Sequence, residues 1–407
     1  MRVSFSQLLV ALLVPAAHLA AAGDFAEEQR LVLELGDLTA APARFPAEGF
    51  ANDGGLEAIY FEGLAWKGSP TRVFAWLGLP QNRGGKVPAI VLVHGGGGTA
   101  FREWVEKWTE RGYAAISIAV EGQTDEADQV PAGARRSWKR HAWPGPKRDG
   151  IYADASEPLR DQWMYHAVAD TVLANSLLRS LPEVDVENVG LMGISWGGVI
   201  TATVIGIDSR FAFAIPTYGC GHLFDSANHW GEALSSNRLY REVWDPMVRM
   251  DRVRTPVLWL SWPGDAAFPL DSQAACYRSA PGPRMVSLIP GMRHGHRAGW
   301  NPPDSYAFAD SVVSSGEPWL AKTESDLTDG TVRVRFRAAK PLEGAALVWT
   351  SDSGFTGSRE WRQSAAKLSR DGEAWLVTAD LPDIATAWFV NVRSDGLTAS
   401  SDYHEVR

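Results

Sequence analysis

Cysteine, positive charge and metal-binding patterns are all scarce in this sequence. Cys220 and Cys276 are the only cysteines in 407 residues, which excludes a disulfide framework; one bridge stays open, but two buried free thiols are favoured. The formal net charge of −9 argues against a nucleic-acid-binding protein, because such proteins carry a basic footprint. Patterns such as H-E-x-x-H and C-x-x-C do not occur, so we predict neither a metal nor a cofactor.

An apolar run at the N-terminus is typical of an export signal. Arg2 precedes an apolar core from Leu8 to Leu19, and three alanines at 20–22 form a small-residue cleavage site. The core is too short to cross a bilayer as a helix, which needs about 20 apolar residues. We therefore predict a signal peptide over residues 1–22 and a secreted or periplasmic mature chain without a membrane anchor.

Continuous apolar runs alternate with helical patterns between residues 56 and 318. Such runs are typical of strands buried on both faces, and their alternation with helices predicts a doubly wound, mostly parallel α/β sheet. Buried strands are predicted at 88–94, 113–119, 186–193, 211–218, 255–262 and 285–289. The segment 122–158 has no period and is predicted to be a long loop. Leu159 to Leu181 is predicted to be a long amphipathic helix.

The texture of the sequence changes at about residue 323. Short strand-like runs follow one another, separated by Asp-Gly turn signals and without intervening helical patterns. This predicts a small all-β sandwich of immunoglobulin-like type over 323–407, after an α/β catalytic domain over 23–322.

The sequence Gly193-Ile-Ser195-Trp-Gly197 lies between a strand-like run and a helical run. G-x-S-x-G in this setting is the nucleophile elbow, which holds a serine hydroxyl above the end of a sheet. Glycines flank the serine because strand and helix approach each other too closely for side chains. Ser195 is the candidate nucleophile; a structural serine in a tight turn is the alternative.

A base and an acid are expected just past later strands, because ligand groups gather at the carboxyl ends of strands in an open sheet. Asp265 follows one predicted strand and His294 follows the next. Asp271 and His296 are the alternative acid and base. We favour Asp265 because Asp271 is expected to cap a helix, and His294 because it stands in a Gly-x-x-His-Gly pattern.

Four motifs together resemble α/β-hydrolases of the acetylxylan-esterase and dienelactone-hydrolase type over residues 56–318. The motifs are His94-Gly95-Gly96-Gly97-Gly98, Gly193-Ile-Ser-Trp-Gly-Gly, Gly264-Asp265 and Gly291-Met-Arg-His-Gly. The resemblance implies Ser195 as nucleophile, His294 as base and Asp265 as the acid that orients the base.

The resemblance also implies an oxyanion hole and an activity. The oxyanion hole would use the backbone N–H of Trp196 and that of Gly96 or Gly97. The implied activity is hydrolysis of acyl, chiefly acetyl, esters on a polysaccharide or oligosaccharide through an acyl-enzyme. A prolyl-oligopeptidase-like peptidase is one alternative, although no β-propeller precedes the sheet. A catalytically inactive carbohydrate-binding homologue is the other, although every residue type of a triad is present.

Tryptophan is abundant, with 18 residues, and several precede or follow the predicted catalytic strand ends. We expect Trp163 and Trp244 to fill the core. Trp138 and Trp143 accompany a basic run that includes Arg135, Arg136, Lys139 and Arg140. That segment is predicted either to be a solvated lid or to bind substrate, as the rim of a site for an anionic sugar polymer.

Overall fold

The computed structural model describes residues 25–81, 84–129 and 137–406. The predicted signal peptide lies outside these residues, as do Arg135 and Arg136 of the basic run. In the described part of the chain, no helix has the length and apolarity needed to cross a membrane.

The α/β part begins with a helix and alternates strands with helices thereafter. Its strands are β1 Arg44–Pro46, β2 Leu56–Glu62, β3 Arg72–Gly78, β4 Val87–Val93, β5 Ala114–Ile118, β6 Gln123–Ala127, β7 Trp138–Arg140, β8 Val184–Ile194, β9 Phe213–Thr217, β10 Val257–Ser261 and β11 Arg284–Leu288. Its helices are α1 Ala26–Leu33, α2 Arg102–Thr109, α3 Trp163–Ser180, α4 Trp196–Val204, α5 His229–Leu234, α6 Leu270–Ser279, α7 His296–Trp300 and α8 Pro303–Ser315.

The C-terminal part consists of strands. These are β12 Leu320–Thr328, β13 Thr331–Ala338, β14 Gly344–Thr350, β15 Arg362–Ala365, β16 Lys367–Asp371, β17 Ala374–Asp380, β18 Ala387–Ser394, β19 Leu397–Ser400 and β20 His404–Glu405. Strands β12, β13, β17 and β16 form one antiparallel sheet. The other C-terminal strands join the central sheet through β19, so the C-terminal part is all-β, as the sequence predicts.

The central sheet has the strand order β1-β2-β3-β5-β4-β8-β9-β10-β11-β19-β18-β14-β15 among the described residues. Neighbouring strands from β5 to β11 pair in parallel, which confirms the predicted doubly wound sheet. The strands β4, β9 and β10 are almost wholly buried because helices cover both faces of the sheet.

The C-terminal strands extend this sheet and do not form a detached body. Strand β19 pairs antiparallel with β11, with Val286 opposite Ser400. The domain division after residue 322 remains a prediction; β12, which spans that position, begins at Leu320.

Two further elements differ from the sequence-based expectation. The loop 122–158 contains the hairpin β6–β7, whose strands are short and largely polar and therefore give no apolar period. Helix α3 was expected to be amphipathic but is buried all round from Trp163 to Leu178. The N-terminal segment covers its outer face, where the Ser176 hydroxyl donates to the Leu38 carbonyl at 2.6 Å.

Candidate active site

Ser195 lies on the sharp turn between β8 and α4. Its backbone has φ +60° and ψ −116°, a conformation that residues with side chains rarely adopt. The flanking glycines are sterically required: a Cβ on Gly193 would lie 2.0 Å from the Gly197 carbonyl oxygen, and one on Gly197 would lie 2.0 Å from the Val93 carbonyl oxygen. The turn therefore has the form that the G-x-S-x-G pattern predicts.

The fold brings Ser195, His294 and Asp265 together from the ends of β8, β11 and β10. His294 Nε2 lies 2.9 Å from Ser195 Oγ, and His294 Nδ1 lies 2.9 Å from Asp265 Oδ2. In this arrangement the imidazole can accept the hydroxyl proton while the carboxylate accepts the Nδ1–H. The alternative acid Asp271 accepts a hydrogen bond from Thr356 Oγ1 at 3.0 Å.

The Asp265 side chain is fully buried, and its carboxylate is held by backbone amides. Oδ1 accepts hydrogen bonds from the N–H groups of Ala267 at 2.9 Å and Phe268 at 2.8 Å. These amides replace water as partners for the negative charge. The second oxygen, Oδ2, is thereby directed at the imidazole.

The imidazole of His294 lies between two aromatic rings. The Tyr218 ring stacks on it with centroids 4.4 Å apart, and the Phe268 ring lies on it at 5.9 Å and 13°. The Tyr218 hydroxyl donates to the carbonyl of Arg293 at 2.7 Å. Burial raises the pKa of Tyr218, so this donor stays protonated. Sequence reasoning missed both rings, because nothing local marks them.

The glycine run after β4 forms a tight turn beside Ser195. The Gly98 N–H donates to the Gly95 carbonyl at 3.0 Å, and Gly97 has φ +70°, as a type II turn requires. Gly96 and Gly97 are the two central residues of the turn, and their N–H groups take no part in this bond. The amide of Trp196 is the first of α4 and has no partner within the helix.

Two histidines, the buried His94 and the half-buried His296, bond to Gly95 of this turn. His94 Nδ1 donates to the Gly95 carbonyl at 2.7 Å, and His296 Nε2 accepts the Gly95 N–H at 2.9 Å. Burial lowers the pKa of each histidine to about 4, which keeps both rings neutral. His296, the alternative base, is thus bonded to the glycine turn. Sequence reasoning considered His296 only as an alternative base and gave His94 no role, although His94 begins the glycine motif.

The two tryptophans proposed for substrate binding are separated. Trp138 Nε1 donates to the Gly97 carbonyl at 3.0 Å, so this ring lies beside the glycine turn. The Arg72 guanidinium lies over the Trp143 ring at 4.1 Å, and Trp143 packs edge-on against the Tyr60 ring at 6.0 Å. Trp163 and Trp244 are buried, as expected.

The remaining site expectations concern metals and thiols. Within the described ranges, no group of three or more His, Cys, Asp or Glu side chains is placed to hold a metal ion. Cys220 and Cys276 are buried free thiols, which confirms that prediction.

Comparison with known proteins supports the resemblance drawn from the motifs. Residues 55–253, just under half of the chain, match the family model described as acetyl xylan esterase (AXE1). A solved acetyl xylan esterase from Thermoanaerobacterium sp. JW/SL YS485 is similar at 19% identity and a TM-score of 0.50, over 66% of this chain and 89% of its own. Another acetyl xylan esterase, from Paenibacillus sp. R4, is similar at 19% identity and a TM-score of 0.49, over 67% of this chain and 90% of its own.

A puromycin-hydrolyzing peptidase from Mycobacterium tuberculosis is also similar, at 20% identity and a TM-score of 0.47, over 65% of this chain and 40% of its own. At such identities a structural likeness shows the fold alone. The family match confirms the resemblance predicted from the motifs and supports a carboxylic-ester hydrolase.

Proposed function

We propose that this chain, a carboxylic-ester hydrolase with the α/β-hydrolase fold, is an exported serine esterase that removes acyl groups, chiefly acetyl, from carbohydrate. The hydrogen-bonded series Ser195–His294–Asp265 is the observation that carries the mechanism. The acetyl xylan esterase match favours an acetylated polysaccharide as substrate.

The first half-reaction forms an acyl-enzyme. His294 Nε2 takes the proton of Ser195 Oγ as that oxygen bonds to the carbonyl carbon of the ester. The carbonyl oxygen becomes an oxyanion, and His294 then gives its proton to the departing sugar oxygen. In the second half-reaction, His294 deprotonates a water that attacks the acyl carbon, acetate leaves, and Ser195 regains its proton.

Peptide geometry favours Gly96 over Gly97 as the second oxyanion donor. The carbonyl of Gly95 and the N–H of Gly96 belong to one trans peptide and point in opposite directions. His94 and the Gly98 N–H both hold that carbonyl on one side of the turn. The Gly96 N–H is thereby fixed on the other side, and we assign it to the oxyanion together with the N–H of Trp196.

Ser195→Ala tests this function. The hydroxyl is half-buried and its loss opens no cavity, so the variant should fold normally and lose about 10⁴-fold or more in kcat on p-nitrophenyl acetate. A fluorophosphonate probe should label the wild type and not the variant. Ser314→Ala, which removes an exposed hydroxyl on α8, should keep both properties.

The same assay separates the alternatives. A wild-type protein that neither hydrolyses the ester nor reacts with the probe would be an inactive scaffold. Efficient cleavage of dipeptide p-nitroanilides would instead make it a peptidase. Acetylated xylan and methyl glucuronoyl esters complete the panel of substrates.

A further inference from the structure

A cavity of about 320 Å³ opens beside the glycine turn, outside the series of Ser195, His294 and Asp265. Gly97 and Gly98 form one wall, and the hairpin β6–β7 and the segment 147–148 form the others. The volume is at the lower end of the range for ligand sites, about 300–1,000 Å³, and suits one sugar-sized group.

Trp138 provides a flat apolar surface in this cavity. Its position is fixed because its Nε1 bonds to the Gly97 carbonyl and its ring packs edge-on against Phe101 at 6.4 Å. A fixed indole face suits the C–H face of a sugar ring. The cavity therefore offers both the shape and the apolar contact that a sugar residue needs.

The charged groups of the cavity are three cations and two carboxylates. Arg140 donates to the carbonyls of Glu121 and Gly145, so its guanidinium builds the wall. The Asp128 carboxylate accepts the hydroxyl of Ser137. Neither group is placed to take up a ligand's charge.

Lys147 and Arg148 are the remaining cations of the cavity, and the Glu121 carboxylate, also in its lining, pairs with Arg148. Lys147 is exposed at the cavity rim and forms no ion pair with a described residue. Arg148 Nη1 donates to the Gly150 carbonyl at 2.7 Å, and its Nε lies 3.5 Å from the Glu121 carboxylate. Its Nη2 faces the glycine turn, 3.3 Å from where a Cβ of Gly96 would lie.

We propose that this cavity binds the carboxylate of an acidic sugar between Lys147 and Arg148 while the sugar ring rests on Trp138. The proposal rests on the proposed esterase function and assigns its substrate class. The substrate would be an acyl ester on carbohydrate that carries uronic acid groups. Because Trp138 is bonded to Gly97 of the glycine turn, an acidic sugar on its ring would lie next to the sugar whose ester is cleaved.

The basic run noted in the sequence contributes less directly to this site. Lys139 pairs with Glu126 at 3.6 Å across the hairpin, and Arg140 is bonded to backbone carbonyls. The two cations that face the cavity follow that run in the chain, after Pro144 and Pro146.

Inhibition of p-nitrophenyl acetate hydrolysis by D-glucuronate and by its neutral analogue D-glucuronamide tests the proposal. Glucuronate should inhibit the more strongly, and added salt should weaken only glucuronate, because salt screens the charges. Lys147→Gln should raise the Ki for glucuronate by about five- to tenfold and leave the Ki for glucuronamide within twofold. Lys340→Gln, an exposed lysine in the C-terminal part, should change neither constant.

Equal inhibition by the two analogues, or an unchanged Ki for glucuronate in Lys147→Gln, would overturn the acidic-sugar site. Failure of the wild type to hydrolyse p-nitrophenyl acetate would overturn the esterase function instead. In that event, titration calorimetry of glucuronate with the wild type and Lys147→Gln still decides whether the cavity binds the anion.

Discussion

At the scale of single residues, Gly95 ties the glycine turn to two histidines. His94 donates to its carbonyl and His296 accepts its N–H, and the acceptor role requires a neutral His296 ring. A protonated His296 would direct an N–H at the Gly95 N–H, and the two donors would repel each other. The low pKa of His296 therefore favours this turn geometry.

Replacing His296 should reduce turnover through the glycine turn. We expect His296→Ala to lower kcat on p-nitrophenyl acetate by about tenfold to a hundredfold with little change in KM, because the amide donors shift away from the oxyanion. His296→Gln should recover part of this loss, since its amide oxygen can accept the Gly95 N–H. Equal losses in both variants would show that the ring fills space and does not act as an acceptor.

His296 should also affect how the free energy of unfolding changes with pH. Its pKa is about 4 in the folded protein against 6.5 in the unfolded chain, so the unfolded chain binds the proton more readily between these values. The stability that this group contributes is present above pH 6.5 and is lost as the pH falls towards 4. Thermal melts should therefore show a smaller loss of stability over this window for His296→Gln than for the wild type.

At the scale of elements, the candidate site is built from neighbouring strand ends. Strand β9 lies between β8, which leads to Ser195, and β10, which leads to Asp265. Tyr218 follows β9 directly and reaches the turn after β11, where it stacks on His294 and bonds to Arg293. The β9 end thus aligns the imidazole with the other two groups.

Tyr218→Phe should separate stacking from hydrogen bonding. The ring remains on His294 but the bond to the Arg293 carbonyl is lost, so we expect kcat to fall about threefold to tenfold at unchanged KM. Tyr218→Leu, which also removes the ring, should be worse. Tyr113→Phe, which loses a hydroxyl bond to Asp310 away from the site, should keep full activity. If Tyr218→Phe kept the wild-type kcat, the bond to Arg293 would not be needed to align the His294 imidazole.

At the scale of the whole molecule, the C-terminal part supports the loop after β10 that carries Asp265, here called the acid loop. The short turn Thr356–Ser358 packs on the loop that carries Asp265, where a Cβ on Gly357 would lie 2.6 Å from Ala266 Cα and 2.8 Å from the Asp265 carbonyl oxygen. Thr356 Oγ1 also donates to Asp271. The three candidate catalytic residues lie in the α/β part, but the position of Asp265 therefore also depends on the C-terminal part.

Gly357→Ala tests this support without removing any strand. The added methyl group meets backbone atoms, so the acid loop must shift, and kcat on p-nitrophenyl acetate should fall about threefold or more while the protein remains folded. Gly344→Ala in the same C-terminal part meets nothing within 4 Å and should behave as wild type. Wild-type kcat in Gly357→Ala would show that the C-terminal part is dispensable for the alignment.

The sequence determined the features that depend on local patterns. Buried strands appear as continuous apolar runs, and the strand–turn–helix elbow needs Gly193 and Gly197 for steric reasons that act over a few residues. The positions of Asp265 and His294 follow from the rule that ligand groups lie at strand ends, and both side chains do meet Ser195 in the structure.

Only the tertiary structure decided features that join distant parts of the chain. His294 and His296 are two residues apart and chemically identical, and the backbone after β11 directs one ring to Ser195 and the other to Gly95. The Lys147–Arg148 cavity and the contact of Gly357 with the acid loop arise from segments that approach each other only in the folded protein. Such contacts leave no periodic or motif signal, because packing and not local sequence brings their residues together.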